Sequence, residues 1–340
     1  MDSLSQLVLG AAVGKFIAGK KMGNKAALWG AIAGTLPDMD VVLSPWLDVI
    51  QKIIVHRSYS HAVFFHFLMA FLLAWISVKL SKKSNYSFKL WWHLWFWGMF
   101  THALLDCCTA YGTQLFQPFT NYLVSFNNVS IIDPLYTMPF LLFLVISLFF
   151  KKENPNFSRF NNIGLIISTG YLLFTFGVKC YVESIFKSNY EKQGMVIDHL
   201  ITSPTFFNSV LWYHVASNES KIYVGEYSLL DQTKDIDFVK IQRNLDQINK
   251  HPAKYEIEVL KWFGTDYYFA NQTADTLEFY NAKFGRANLL NRPNQSSFPF
   301  YYKITQEQGK SVVSVIQPEN LEDIKTAFGD LWQRLLGLKN

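Results

Sequence analysis

The chain has 340 residues, of which 50% are hydrophobic and only 17% charged, with 30 Phe and 10 Trp. A soluble protein of this length carries about a quarter charged residues, so the composition argues against a wholly soluble chain. The net charge of +5 is modest, and the cations of the first half cluster in short loops, a pattern of membrane topology rather than of nucleic-acid binding.

Residues 1–185 hold nearly all the long apolar runs, whereas 186–340 reads as a soluble segment. Leu4–Ala18 is rich in small residues (Gly10, Ala11, Ala12, Gly14), which suits close helix packing, though it is short of the roughly 20 residues a span needs. Lys15, Lys20, Lys21 and Lys25 fall within or after this stretch, not before it, so a cleavable signal peptide is not expected. A basic turn leads to a second small-residue helix, Ala26–Leu36, stopped by Pro37; the two should form a tight hairpin. Val41–Val55 should contain a short interfacial helix. Spans are expected at Ala62–Val78, Leu90–Leu105, Ile131–Phe150 and Ile163–Val182. They are separated by a basic loop (Lys79–Lys89), a polar and aromatic loop (107–130) and a basic turn (Lys151–Arg159). The fold class expected is a membrane all-α bundle of about five or six apolar helices (1–185), followed by a soluble α+β domain with an antiparallel sheet (186–340). If every apolar segment crosses once, all three basic turns share a side, which the positive-inside rule makes cytoplasmic. Asp38, Asp40, His56, His61, His102, Asp106, Asp133 and the C-terminal domain then collect on the extracytoplasmic face.

In the second half, Ser209–Val215 and Lys221–Tyr227 read as a hairpin about a polar turn. Asp235–Asn249 reads as a helix with Ile236, Val239, Ile241 and Leu245 on one face, and Ala253–Phe263 as another. Tyr267–Ala270, Thr276–Lys283, Phe300–Thr305 and Val312–Gln317 read as strands, and the stretch from Pro318 to Leu336 as an amphipathic terminal helix.

Five of the eight histidines lie between Gly34 and Asp133. Imidazoles and carboxylates at membrane depth are costly and mark a site by default. His102 and Asp106, spaced i,i+4, project from one helix face and suit two ligands of one ion, or a ligand and its supporting carboxylate. His56 and His61 need a turn between them to converge, and Ser58 and Ser60 can hydrogen-bond a ring nitrogen there. Arg57 offers a fork for an oxyanion, or snorkels to headgroups. Asp38 and Asp40 suit a divalent metal, a ligand with a base, or a helix cap; Asp133, ahead of Pro134, suits a cap or the site equally. His66 and His93, deeper in spans, read as packed residues. Three Cys (Cys107, Cys108, Cys180) form no CxxC, and the adjacent pair reads as buried apolar side chains. The candidate metal ligands are thus Asp38, Asp40, His56, His61, His102 and Asp106, with Asp40, Arg57 and Asp133 as candidate catalytic groups. A mixed N/O set fits zinc first, with manganese or iron as alternatives.

Gly34-Thr-Leu-Pro-Asp-Met-Asp40, His56-Arg-Ser-Tyr-Ser-His61, His102-Ala-Leu-Leu-Asp106-Cys-Cys-Thr109-Ala-Tyr-Gly112, Pro118-Phe119 and Asp133-Pro-Leu135 occur in this order. Together they resemble the bacterial membrane-bound metal-dependent hydrolase family, also described as inner-membrane, LexA-binding hydrolases. Trp262-Phe263 and Asn281-Ala-Lys-Phe-Gly285 resemble the tail of its longer members. Ser58-Tyr59 departs from the family pattern, which often has Gly after the Arg and Thr before the His. The resemblance implies a bacterial inner-membrane protein with a metal site; the ligand set itself suits hydrolysis by metal-activated water, and a site at headgroup level favours a phosphoester or another lipid-linked ester. The bilayer is its expected partner and nucleic acid is not. LexA binding needs a cytoplasmic surface, which this topology leaves only in short loops, so it is not carried over. The rival expectation is a non-enzymatic membrane protein with a structural or sensing metal site and a partner-binding C-terminal domain; a transporter fits less well, because inverted repeats are not evident.

Overall fold

Four glycines set the spacing of the first two helices. The protein is described from a computed structural model, which covers residues 1–81, 85–273, 275–286, 298–307, 309–316 and 321–338. Lys82 and Lys83 of the expected basic loop, Gln317 of the last expected strand and Pro318 of the terminal helix lie outside these residues. Helix α1 (Ser3–Met22) starts at Asp2, whose carboxylate accepts from Ser5 N, and α2 (Lys25–Thr35) returns antiparallel along it. A Cβ at Gly14 would lie 2.5 Å from Ala26 O, and one at Gly34 2.8 Å from Gln6 O. Backbone therefore touches backbone, the packing mode of small residues in lipid, where side-chain burial offers little driving force.

The 3₁₀ segment Pro37–Trp46 follows α2. Helix α3 is Val49–Val55, α4 Val63–Leu80, α5 Phe88–Cys107, α6 Pro134–Leu148 and α7 Asn156–Lys192. Helix α5 also packs close on α2, since a Cβ at Gly98 would stand 2.5 Å from that of Ala33. The rings of Trp91 and Trp95 on α5 meet Trp29 of α2 edge-on. Helix α4 buries only the stripe His66, Ala70, Ala74 and Ser77, with Trp95 Nε1 donating to Ser77 Oγ at 3.0 Å. Its other faces expose Phe64, Phe67, Phe71, Leu72 and Trp75, the reverse of a soluble amphipathic helix.

Among the described residues, two helices are long and apolar enough to cross a membrane, α4 and α7; α2 and the 3₁₀ segment, bent by 44°, make a third if counted as one broken span. This corrects the expected five or six. Helix α6 has only 15 residues, about 22 Å at 1.5 Å each, against a hydrocarbon core of about 30 Å. Helix α1 is long enough but carries Lys15, Lys20 and Lys21, and α5 carries Lys89, His93, His102 and Asp106.

The chain divides into two compact units, Met1–Trp46 with Ile54–Phe176, and Leu47–Ile53 with Gly177–Asn340. The second contains two four-stranded antiparallel sheets, where one was expected. The first sheet is β1 (His199–Pro204), β2 (Leu211–Ser217), β3 (Lys221–Ser228) and β4 (Val239–Gln242) in that order. The β2–β3 hairpin pairs Leu211 with Ser228 and Ser217 with Ile222, as the polar turn predicts. The expected helix Asp235–Asn249 is corrected: Val239 and Ile241 alternate and pair with Val224 and Ile222, and only Leu245–Lys250 (α8) is helical. Helix α9 (Lys254–Gly264) leads to the second sheet, β5 (Tyr268–Thr273), β6 (Thr276–Asn281), β7 (Phe300–Glu307) and β8 (Lys310–Ile316).

One face of the first sheet (Tyr213, Val215, Ile222, Val224) shares a core with Phe269, Tyr280 and Phe298. The other face (Trp212, Ala216, Tyr223) packs on Val182, Ile185, Phe186 and Tyr190 of α7. With both faces covered, β2 is buried throughout, which erases the alternation that marks a half-exposed strand. Buried within this core, His214 has its pKa pushed down to about 3 by desolvation and stays neutral. The terminal helix α10 (Leu321–Leu335) is anchored at its end by Arg334, which donates to both carboxylate oxygens of Asp231 at 2.6 and 2.8 Å.

Candidate metal centre

The break between α2 and the 3₁₀ segment begins the site. Pro37 stops α2, and the last carbonyls of a helix lack partners within it. Gly34 O, freed in this way, accepts from Nδ1 of His102 on α5 at 2.6 Å. A carbonyl can only accept, so Nδ1 of His102 carries a proton and Nε2 is the atom left to meet a cation. His61, at the end of the short 3₁₀ turn Tyr59–His61, is fixed by a relay. Ser60 Oγ donates to Asp40 Oδ2 at 3.0 Å and stands 2.9 Å from His61 Nδ1, which then carries the proton and leaves Nε2 free. His66 Nε2 donates to Ser60 O at 2.8 Å and ties this turn to the start of α4.

The two Nε2 atoms face each other at 3.1 Å. Asp38 Oδ1 lies 3.4 Å from each, and Asp106 Oδ2 lies 3.2 Å from His61 Nε2 and 3.5 Å from His102 Nε2. All four donor atoms fall within 4.8 Å of one another, a grouping that could hold a metal ion. Five of the six edges between these donors measure 3.1–3.5 Å, and a regular tetrahedron with edges of about 3.3 Å has its centre about 2.0 Å from each corner, the length of a Zn–N or Zn–O bond. The donors thus fit a small divalent cation.

Asp106, fully buried, is held from both sides. Its Oδ1 accepts from Gln6 Nε2 at 2.9 Å and from the Met1 nitrogen, while Oδ2 accepts no hydrogen bond and faces the cluster. Arg57 Nε stands 3.1 Å from Oδ2 as an ion pair not aligned as a hydrogen bond, and its Nη1 donates to Thr109 Oγ1 at 2.9 Å. Arg57 has a left-handed backbone (φ 55°), uncommon for a non-glycine residue, and its N–H donates to Asp40 Oδ2 at 3.1 Å. That conformation lets one residue hold Asp40 with its backbone and Asp106 with its side chain.

Of the expected ligands, the fold brings together Asp38, His61, His102 and Asp106. Asp40 and His56 stand one layer out: Asp40 orients His61 through Ser60, and His56 Nδ1 sits 3.3 Å from Asp40 Oδ1 with its ring edge-on to Tyr111. Of the expected catalytic groups, Asp40 and Arg57 border the cluster. Asp133 does not; it caps α6, accepting from Leu135 N at 3.0 Å and from Tyr171 Oη at 2.9 Å. Burial raises the pKa of the Asp133 carboxyl, against the opposing pull of these donors. Gln6 is not singled out by the sequence, and Thr109 and Gly34 stand out there only as members of the motif, with no role expected for the Gly34 carbonyl. A lone Gln in an otherwise small and apolar helix was the available signal for the first, since a buried amide needs partners.

The profile of a family described as YdjM inner membrane protein matches residues 1–184, more than half of the chain and the whole cluster. The chain belongs to the YdjM inner membrane protein family. The inner-membrane resemblance drawn from Gly34 to Leu135 is therefore borne out at the level of the family. Beyond the YdjM match, the chain is similar to the uncharacterized protein YfhP of Bacillus subtilis (strain 168), with 23% identity over 236 residues, 66% of this chain and 68% of the relative. No solved structure matches.

Proposed function

We propose that this protein is a membrane metal-dependent hydrolase whose metal is held by His61, His102 and Asp106, with Asp38 at the mouth. The observation that carries the reading is the convergence of two imidazole Nε2 atoms and two carboxylate oxygens, all within 4.8 Å of one another. Three of the four side chains are 0–1% exposed, and Asp38 alone is 29% exposed. A catalytic zinc site has three protein ligands and one open position, and Asp38 is the donor placed to yield that position or to serve it. When bound, a divalent ion supplies an activated water and a Lewis acid. Asp38 accepts the proton of the attacking water. Arg57 is committed to Asp106 and acts as a positioning residue, not as a free oxyanion clamp, and Asp40 positions His61.

Met39, Val41, Val42 and Trp46, on the same 3₁₀ segment as Asp38, are all exposed apolar side chains. That supports an amphiphilic substrate, a phosphoester or another lipid-linked ester. That the site and the C-terminal domain lie outside the cytoplasm belongs to the same proposal, supported by Lys20, Lys21, Lys25, Lys151 and Lys152 at the turns where α1 and α6 end and α2 and α7 begin, away from the metal centre.

A second reading is favoured by the donor count: four protein ligands can close the shell and make the site structural or sensing. Turnover separates the two. Zinc-loaded protein in detergent is expected to hydrolyse a lipid phosphoester, and Asp38→Asn to slow it while keeping the metal. Bound metal with no turnover on phosphoesters or carboxyl esters would leave the structural reading.

Ser60→Ala tests the layer behind the ligands. It is expected to weaken metal binding roughly 10- to 100-fold, the usual effect of losing a partner of a ligating histidine. Competition with a chromophoric chelator measures it, and an unchanged affinity would refute the relay.

A further inference from the structure

The helical unit carries its charges at opposite ends. Asp38, Asp40 and Asp106 gather at the metal centre. Lys20, Lys21, Lys25, Lys151, Lys152 and Arg159 gather at the α1–α2 and α6–α7 turns. Between these turns lies a cleft of about 330 Å³. Its walls include Leu148, Phe149, Phe150 and Phe157, and its rim Lys151 and Lys152. Glu153 is the one carboxylate among its lining residues.

We propose that this cleft binds an anionic phospholipid, with the phosphate on Lys151 and Lys152 and the glycerol and first acyl carbons against Phe149 and Phe150. Three observations support it. The cleft is pre-formed, because Lys15, buried beneath it, donates to Ser147 O at 2.7 Å and to Asn24 Oδ1 at 3.2 Å, while Asn24 Nδ2 donates to Leu148 O at 2.7 Å. The ammonium of Lys15 and the amide of Asn24 thus lace the two turns together and leave the rim lysines for a ligand; among the described residues, neither Lys151 nor Lys152 is placed in an ion pair. The cleft is also amphiphilic. Phe149 is 84% exposed at its edge, a costly placement in water and a favourable one at the level of lipid glycerol. A free phosphate would use the lysines and leave this wall idle. Finally, the cleft belongs to a unit with a membrane-crossing helix, and basic residues beside such helices attract anionic headgroups. The inference does not depend on the metal reading.

The test is lipid retention by full-length protein in neutral detergent, measured by native mass spectrometry with phosphatidylglycerol or phosphatidylcholine added. Phosphatidylglycerol is expected to bind in preference, and Lys151→Gln/Lys152→Gln to weaken it roughly tenfold or more, given the contribution of each lysine near anionic lipid. Lys240→Gln/Lys250→Gln, an equal loss of charge in the second unit, should leave retention unchanged. Phe149→Ser should lower lipid retention without altering the affinity for glycerol phosphate. Equal loss in both double variants, or equal retention of the two lipids, would overturn the site. Competition by glycerol phosphate as effective as that by lipid would overturn the lipid as ligand and leave a soluble phosphate in its place.

Discussion

Protein purified in detergent is expected to carry close to one transition-metal ion per chain, and His61→Ala and His102→Ala each to remove it. The expected loss exceeds the roughly 10- to 100-fold attached to supporting residues, because each histidine supplies one of only three or four donor atoms. Elemental analysis of the three proteins side by side measures it. His56→Ala is the control: His56 Nδ1 faces Asp40 and not the cluster, so this variant should keep its metal. Retention by both ligand variants would remove the basis for any metal reading. The effect extends to stability. A ligand that binds only the folded state at 1,000 times its Kd stabilises it by about 4 kcal/mol. Chelation should therefore lower the unfolding temperature of wild type and leave that of His102→Ala unchanged.

What the sequence made legible was the set of residues with no other reason to be where they are. His61, His102, Asp106 and Asp38 stood out because ionisable side chains beside apolar helices need partners, and the i,i+4 spacing of His102 and Asp106 already placed two of them on one face. It could not rank Asp38 against Asp40 or His61 against His56. That choice is made by the left-handed turn at Arg57, which directs His61 inward and leaves His56 beside Tyr111. The span count was overestimated for a related reason. Apolar character along α1, α2, α5 and α6 suggests membrane crossing, whereas their length and the charged and imidazole side chains they carry set the limit. In the second half, Val239 and Ile241 fit helical and extended spacing alike. Pairing with β3, a contact distant in sequence, decides the matter.

The α1–α2 contact leads to the other large expected effect. Gly→Ala inside a helix ordinarily stabilises by up to about 1 kcal/mol, because glycine is the poorer helix former. At Gly170, where a new Cβ meets nothing within 4 Å, that gain should be realised or the change be neutral. At Gly30 the same substitution should reverse sign. Its Cβ would overlap the Gly10 carbonyl oxygen and stand 2.7 Å from Gly14 Cα, and neither atom can move without moving its helix. Overpacking of this kind costs about 1–3 kcal/mol in side-chain cores, and contact with backbone leaves less room to relax. The displacement also has a route to the site. Gly34, one turn on from Gly30, supplies the carbonyl that orients His102, and Gln6 on the opposing helix supports Asp106. Gly30→Ala should therefore lower both the unfolding temperature and the metal affinity, whereas Gly170→Ala should lower neither. Thermal unfolding in detergent, with and without chelator, reads both quantities in one series. If Gly30→Ala unfolded at or above the wild-type temperature, the close approach of α1 and α2 would be wrong, and with it the account of how His102 is aimed.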